Sequence, residues 1–121
     1  MAILTEGVRT AAFLVSEANG MYRSRDEVTV VGGADPGLAA GTVLGKITAG
    51  GNFVAYDPAA ITGAEDIAGV LYEGAIGTVT RTVVTRDAEV VGAHLIYQSG
   101  ANDAAKATAN AALAALGIIV R

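Results

Sequence analysis

The stretch Gly41-Thr42-Val43-Leu44-Gly45-Lys46-Ile47 carries two glycines and a lysine, the residue types with which a loop cradles phosphate. A phosphate loop needs one more residue between its glycines and a hydroxyl after the lysine; here the spacing is short and Ile47 stands in the hydroxyl's place. No helix is expected behind it, and a strand is the better reading. His94 is the only imidazole, so a histidine pair for zinc is excluded, and any Ser-His-Asp arrangement would have to run through this one residue. Ser16, Ser24 and Ser99 do not sit in a nucleophile elbow. Neighbouring carboxylates occur at Asp26 and Glu27, Glu65 and Asp66, and Asp87 and Glu89; paired acids are the raw material of acid/base hydrolysis, but solvated acids beside turns account for all three. Tyr22, Tyr56, Tyr72 and Tyr97 fall near expected strand ends, where a ring buries its face and wets its hydroxyl, at the edge of the core or at a subunit contact.

The composition narrows the function classes further. With 121 residues the chain supports one hydrophobic core and is too short for two ordinary domains. Hydrophobic residues make up 52% and charged residues 17%, which excludes disorder throughout, yet no apolar run approaches the roughly 20 residues of a membrane helix. A formal charge of −4 argues against a nucleic acid partner, whose phosphates require clustered Lys and Arg. The absence of cysteine removes disulfides, thiolate metal sites and cysteine nucleophiles together. Aromatics are only 5% with no Trp, which suits close-packed sheets better than a pocket for a planar cofactor, so no cofactor and no metal are expected. Met1 to Glu6 lacks the basic start of a signal peptide, and the expectation is synthesis in a cytoplasm.

The elements that would position these residues are mostly strands. Residues 1–12 show neither clear period nor turn chemistry and read as a terminal arm; residues 13–121 read as one domain. Phe13-Leu14-Val15 is extended, Glu17-Ala18-Asn19-Gly20 turns, and a mixed-charge patch from Arg23 to Glu27 leads into the strand Val28 to Val31. Gly32 to Gly37 is a loop. Thr42 to Thr48 and Phe53 to Tyr56 form a hairpin about the turn Ala49 to Asn52, with the apolar side chains of the second strand alternating toward one face. The connection Asp57 to Asp66 has room for one helical turn. Strands then follow at Ile67 to Tyr72, Val79 to Thr85, Ala88 to Val91 and Leu95 to Tyr97, with a bend or bulge at Gly92. A single helix spans Ala104 to Leu116, capped by Asn102 or Asp103 and stopped at Gly117, with Ala109, Leu113 and Leu116 on one face. Ile118 to Val120 returns as a terminal strand.

Several of these segments, taken in order, are similar to the head decoration protein D family of lambda-like phages. They are Ser16-Glu17-Ala18-Asn19-Gly20, Arg23-Ser24-Arg25-Asp26 into Val28-Thr29-Val30, Ala40 to Thr48, Tyr56-Asp57-Pro58, Gly69-Val70-Leu71, Thr85-Arg86-Asp87-Ala88-Glu89-Val90, and Ala111 to Leu116 followed by Gly117 to Arg121. Each piece is only turn or strand chemistry; their ordered combination carries the resemblance. It implies a mainly β protein, a β-clip (tulip-like) small barrel or sandwich with one C-terminal helix and an extended N-terminal arm. It implies no catalysis. The implied partners are the major capsid protein and two further copies of the chain, as a homotrimer on local threefold positions of the outer surface of an expanded head. The arm of that family is mobile in the free trimer and orders against the shell, which carries over here to Ala2, Ile3, Leu4, Thr5, Glu6, Gly7, Val8, Arg9, Thr10, Ala11 and Ala12.

Physical reasoning gives that arm a mode of action: an extended segment adds a strand to an exposed sheet edge whatever its side chains, with Ile3, Leu4 and Val8 as apolar anchors. The rival from another class is a β-clip module binding sugars or another small ligand, whose signature would be exposed aromatics clustered on one side. A small hydrolase working through Asp or Glu ranks third.

Overall fold

Adjacent apolar pairs recur along the strand candidates: Val43-Leu44, Val70-Leu71 and Val83-Val84. Successive side chains on a strand point to opposite faces, so a strand carrying such a pair is buried on both sides. The computed structural model, which describes residues 9–18 and 21–121, shows what lies on each side. Its elements are β1 (Leu14–Glu17), α1 (Met21–Ser24), β2 (Arg25–Val31), β3 (Val43–Lys46), β4 (Phe53–Ala55), β5 (Ile67–Leu71), β6 (Thr78–Val84), β7 (Ala88–Val90), a 3-10 turn (Gly92–His94), α2 (Asp103–Ala115) and β8 (Ile118–Val120). Strands β2-β4-β3-β5-β6 close into a barrel, and β1-β7-β8 form a separate three-stranded sheet. The fold is mainly β with a small closed barrel and one C-terminal helix of useful length, as expected.

Leu44, Leu71 and Val83 point into the barrel, where they pack with Val30, Phe53 and Ala75. Their neighbours Val43, Val70 and Val84 point out of it and meet Phe13, Ala88, Val90, Leu95, Leu113 and Ile118, a second core between the barrel, the small sheet and α2. Phe13, Leu113 and Ile118 are fully buried there, and each such side chain stabilises the fold by roughly 1.5–3 kcal/mol.

Closure depends on two unequal seams. Strands β2 and β6 pair antiparallel over seven residues, from Arg25 opposite Val84 to Val31 opposite Thr78. The other side of β2 meets β4 in parallel at one pair, Val30 with Phe53. Between β3 and β5 the register slips at Leu44/Gly45. Glycine is required there, because a Cβ at position 45 would fall 2.4 Å from the Ala64 carbonyl oxygen. The Gly41-to-Ile47 stretch is therefore strand and loop backbone in close contact with its neighbours. At the helix, the Asn102 side chain accepts from the Ala105 N–H at 2.8 Å, and Gly117 takes φ 84° to stop it.

Four expectations need correction. The patch from Arg23 to Glu27 is not a leader into a strand: β2 begins at Arg25, because its pairing with β6 extends through the charged residues, and Met21–Ser24 is a short helix. Residues 57–66 hold turns and no helical turn; Asp57 N–H donates to the Ala64 carbonyl across that loop and closes it. Leu95 to Tyr97 is not a strand. Only Ile96 bridges, to Thr42, and the bend or bulge expected at Gly92 is the 3-10 turn Gly92–His94. In β4 the alternation fails after Phe53: Ala55 is exposed and Tyr56 packs on the second core.

Candidate functional surface

The residues read as acid/base candidates do not converge. Asp26 accepts from Thr85 Oγ1 at 3.0 Å and pairs with Arg86; Glu27 accepts from the Thr82 hydroxyl. Glu65 takes the Gly63 N–H at 2.8 Å, while Asp66 beside it is exposed. Asp87 pairs with Arg23 and Glu89 with Arg121. Among the described residues no three His, Cys, Asp or Glu side chains gather as a metal site would require. His94 lies exposed at the end of the 3-10 turn. No helix among the described residues is long and apolar enough to cross a membrane.

The tyrosines are spent on the core. Tyr56, Tyr72 and Tyr97 all pack against the core outside the barrel, and Tyr97 donates to Asn110 Oδ1 at 2.6 Å. Burial pushes the Tyr97 phenol above its ordinary pKa, with the Asn110 bond opposing. Phe13 and Phe53 are buried. The side chain of Tyr22 lies outside the described residues. The described aromatics thus form no exposed cluster of the kind a sugar-binding face requires.

What the structure does bring together is a polar seam that the sequence concealed. Every residue of the mixed-charge patch finds a partner there. Arg25 grips the Glu17 carboxylate with two nitrogens, Nε at 2.8 Å, and its guanidinium lies 4.2 Å over the ring of Tyr72. The fully buried Ser24 hydroxyl donates to the same carboxylate. The Arg25 hydrogen bonds hold the Glu17 carboxyl below its ordinary pKa although burial opposes them, and Ser24 adds to the lowering. Glu17 in turn raises the Arg25 pKa. Arg23 Nε reaches Asp87 at 3.2 Å, and Arg86 donates to the Arg23 carbonyl at 2.7 Å as well as to Asp26. The seam fastens β1 and the β6–β7 link to the barrel strand β2. The signal that points to it is the presence of opposite charges in three short segments, 16–18, 23–27 and 85–89, that the family resemblance had already singled out.

Of the residues assigned to the arm, Ala2 to Val8 lie outside the described residues. Arg9 to Ala12 form a turn that joins β1. Ala12 N–H donates to the Arg9 carbonyl at 3.2 Å, Leu14 N–H to the Ala11 carbonyl at 3.0 Å, and Ala11 N–H to the Tyr72 carbonyl at 2.9 Å. Ala11 sits at φ 59°, in the left-handed region that a residue with a Cβ rarely takes. Immediately after it, Phe13 enters the core and its carbonyl accepts from Val91 N–H at 2.7 Å. The root of the N-terminal segment is thus fastened to the body at Ala11 and at Phe13.

Compared with known families, residues 3–118 match the family model described as bacteriophage lambda head decoration protein D. No curated protein matches the chain.

Proposed function

Because the chain belongs to the bacteriophage lambda head decoration protein D family, a structural family of the phage head, we propose that it is a trimeric cement protein of the outer capsid surface. The family match over residues 3–118 is the observation that carries this reading. In the proposal three copies sit on local threefold positions of an expanded head and bridge neighbouring subunits of the major capsid protein. Of the segment Ala2 to Ala12, the part ahead of the fastened turn, Ala2 to Val8, supplies the grip by adding strand backbone to the shell, with Ile3, Leu4 and Val8 as anchors. One segment binds weakly because ordering it costs entropy, whereas three on one trimer raise avidity by about 10² to 10⁴. A protein that binds only the assembled shell stabilises that shell by linkage, and so resists internal DNA pressure without touching DNA. Three copies together carry a strongly acidic charge, which disfavours association with packaged nucleic acid.

The test is electron microscopy of expanded shells, assembled from the capsid protein encoded with this chain, before and after adding the purified protein. The reading expects new density of three copies at each local threefold position and shells that survive higher temperature. Shells left bare at saturating protein would refute it.

A further inference from the structure

The point at which residues 1–8 leave the body restricts where their partner lies. Fully extended, eight residues reach at most about 29 Å, so whatever they grip is close to the root fastened on Tyr72. Backbone hydrogen bonds tie the strand that carries that root to its neighbours. Gly41 N–H donates to the Leu71 carbonyl at 2.8 Å, one residue before Tyr72, and Ile96 N–H donates to the Gly41 carbonyl at 2.9 Å. Leu38 and Ala75 exchange backbone hydrogen bonds at 2.8 Å in both directions, and Ile76 follows directly, at most about 15 Å along the chain from Tyr72.

This rim differs from the rest of the surface in two ways. Residues 36–39, 74–80 and 92–102 contain no Asp, Glu, Lys or Arg, and the charges that flank the first two in sequence, Asp35 and the Arg81–Glu73 pair, stand at the border, with Arg81 Nε donating to the Gly74 carbonyl at 2.9 Å. Ile76 and Ile96 nevertheless stand 52% and 39% exposed on it. The rim is also built to hold its shape. A Cβ at Gly32 or Gly37 would fall 2.1 Å from the Ala75 carbonyl oxygen, so the loops touch backbone to backbone. Gly32 N–H and Gly77 N–H add bonds of 2.7 Å to the Gly77 and Gly33 carbonyls. Depletion of charge, exposed large aliphatics and a preorganised backbone are the features of an interface centre.

We propose that this charge-poor rim, centred on Ile76 and Ile96, is the body's own contact with the protein shell that the N-terminal segment grips. The inference rests on the decoration reading above and deepens it by naming the face and its chemistry: an uncharged, apolar area of the shell within reach of the segment. The partner is set by where the N-terminal segment leaves the body, since a rim on this side meets the same object that the segment binds.

Single and double substitutions Ile76→Asp and Ile96→Asp in the full chain test it, read by cosedimentation with expanded shells prepared without decoration protein. Each single change is expected to weaken apparent affinity about tenfold or more, and the double change further, with mass in solution unchanged by light scattering. Ile61→Asp, at a position 94% exposed on the connection before β5, and Ile119→Asp on β8 are expected to bind like the parent. Should the aspartate pair fail to fold, Ile76→Ser with Ile96→Ser reads the same contact at a loss of several-fold. Parent-like binding by the folded double variant overturns the inference, as does a change in its mass, which would make the rim a contact between copies. A parent chain that ignores shells altogether overturns the decoration reading and this inference with it, and is distinguished from the other outcomes by the parent arm of the experiment.

Discussion

The polar seam along β2 and the rim around the N-terminal root use opposite chemistry. In the seam, Arg23, Arg25, Asp26, Glu27, Arg86 and Asp87 are all paired within the molecule, together with Glu17. The rim has no charged residue within its three segments, keeps Asp35 and the Arg81–Glu73 pair to its border, and leaves isoleucines in solvent. Charge here holds the body together, and the surface without charge is the one free to be covered. A chain with 17% charged residues has few to place, and seven of its 20, Glu17, Arg23, Arg25, Asp26, Glu27, Arg86 and Asp87, are in this seam.

The largest effect is expected at Phe13, in the second core beside the root: its carbonyl takes the Val91 N–H, and its ring sits 3.7 Å from where a Cβ on Gly41 would be. Phe13→Ala should cost about 3–5 kcal/mol in chemical denaturation and loosen the root as well. A loss below about 1 kcal/mol would mean that the second core does not depend on it.

Next in size is the buried end of the seam. Arg25→Met leaves the Glu17 carboxylate with the Ser24 hydroxyl as its remaining side-chain donor, at a cost of about 2–4 kcal/mol. The pH dependence has a definite sign. Glu17 has a lowered pKa in the folded state, so its contribution is fully present above the ordinary value of 4.5 and is lost as pH falls through the lowered value. Thermal melts of Glu17→Gln should therefore lie below the parent at neutral pH and converge toward it in acid; parallel curves would contradict the assignment.

The smallest effect belongs to the exposed end. Arg23 and Asp87 are 64% and 38% exposed, and Arg23→Ala should cost no more than about 1 kcal/mol. The rim substitutions should alter melting temperature as little as that while altering shell binding far more. If Ile76→Asp destabilised the fold as much as Arg25→Met, the division between a structural seam and a contact rim would be gone.

Much of this was legible in the residues, and the exceptions have physical causes. Paired apolar residues and β-branched runs marked β2, β3, β5 and β6, and Asn102 with Gly117 marked both ends of α2, since these signals are local. Leu95 to Tyr97 looks like a strand because Leu95 is buried and Tyr97 packs on the core, yet a single bridge through Ile96 is all the pairing it has. The seam was hidden for a different reason. Arg23 and Asp87 are 64 residues apart, and Asp26 and Arg86 are 60 apart, so each end looks like a solvated charge until β2 and β6 are in register. The rim escaped notice because its mark is an absence of charge spread over three separate segments.

The account stands or falls on the N-terminal segment acting as the grip of a body that folds without it. Deleting Ala2 to Val8 spares the Ala11–Tyr72 bond and Phe13, so the truncated chain should keep the parent's melting temperature and mass while losing at least about 100-fold in apparent affinity for undecorated shells in cosedimentation. A truncated, folded protein that pellets with shells as the parent does would contradict it.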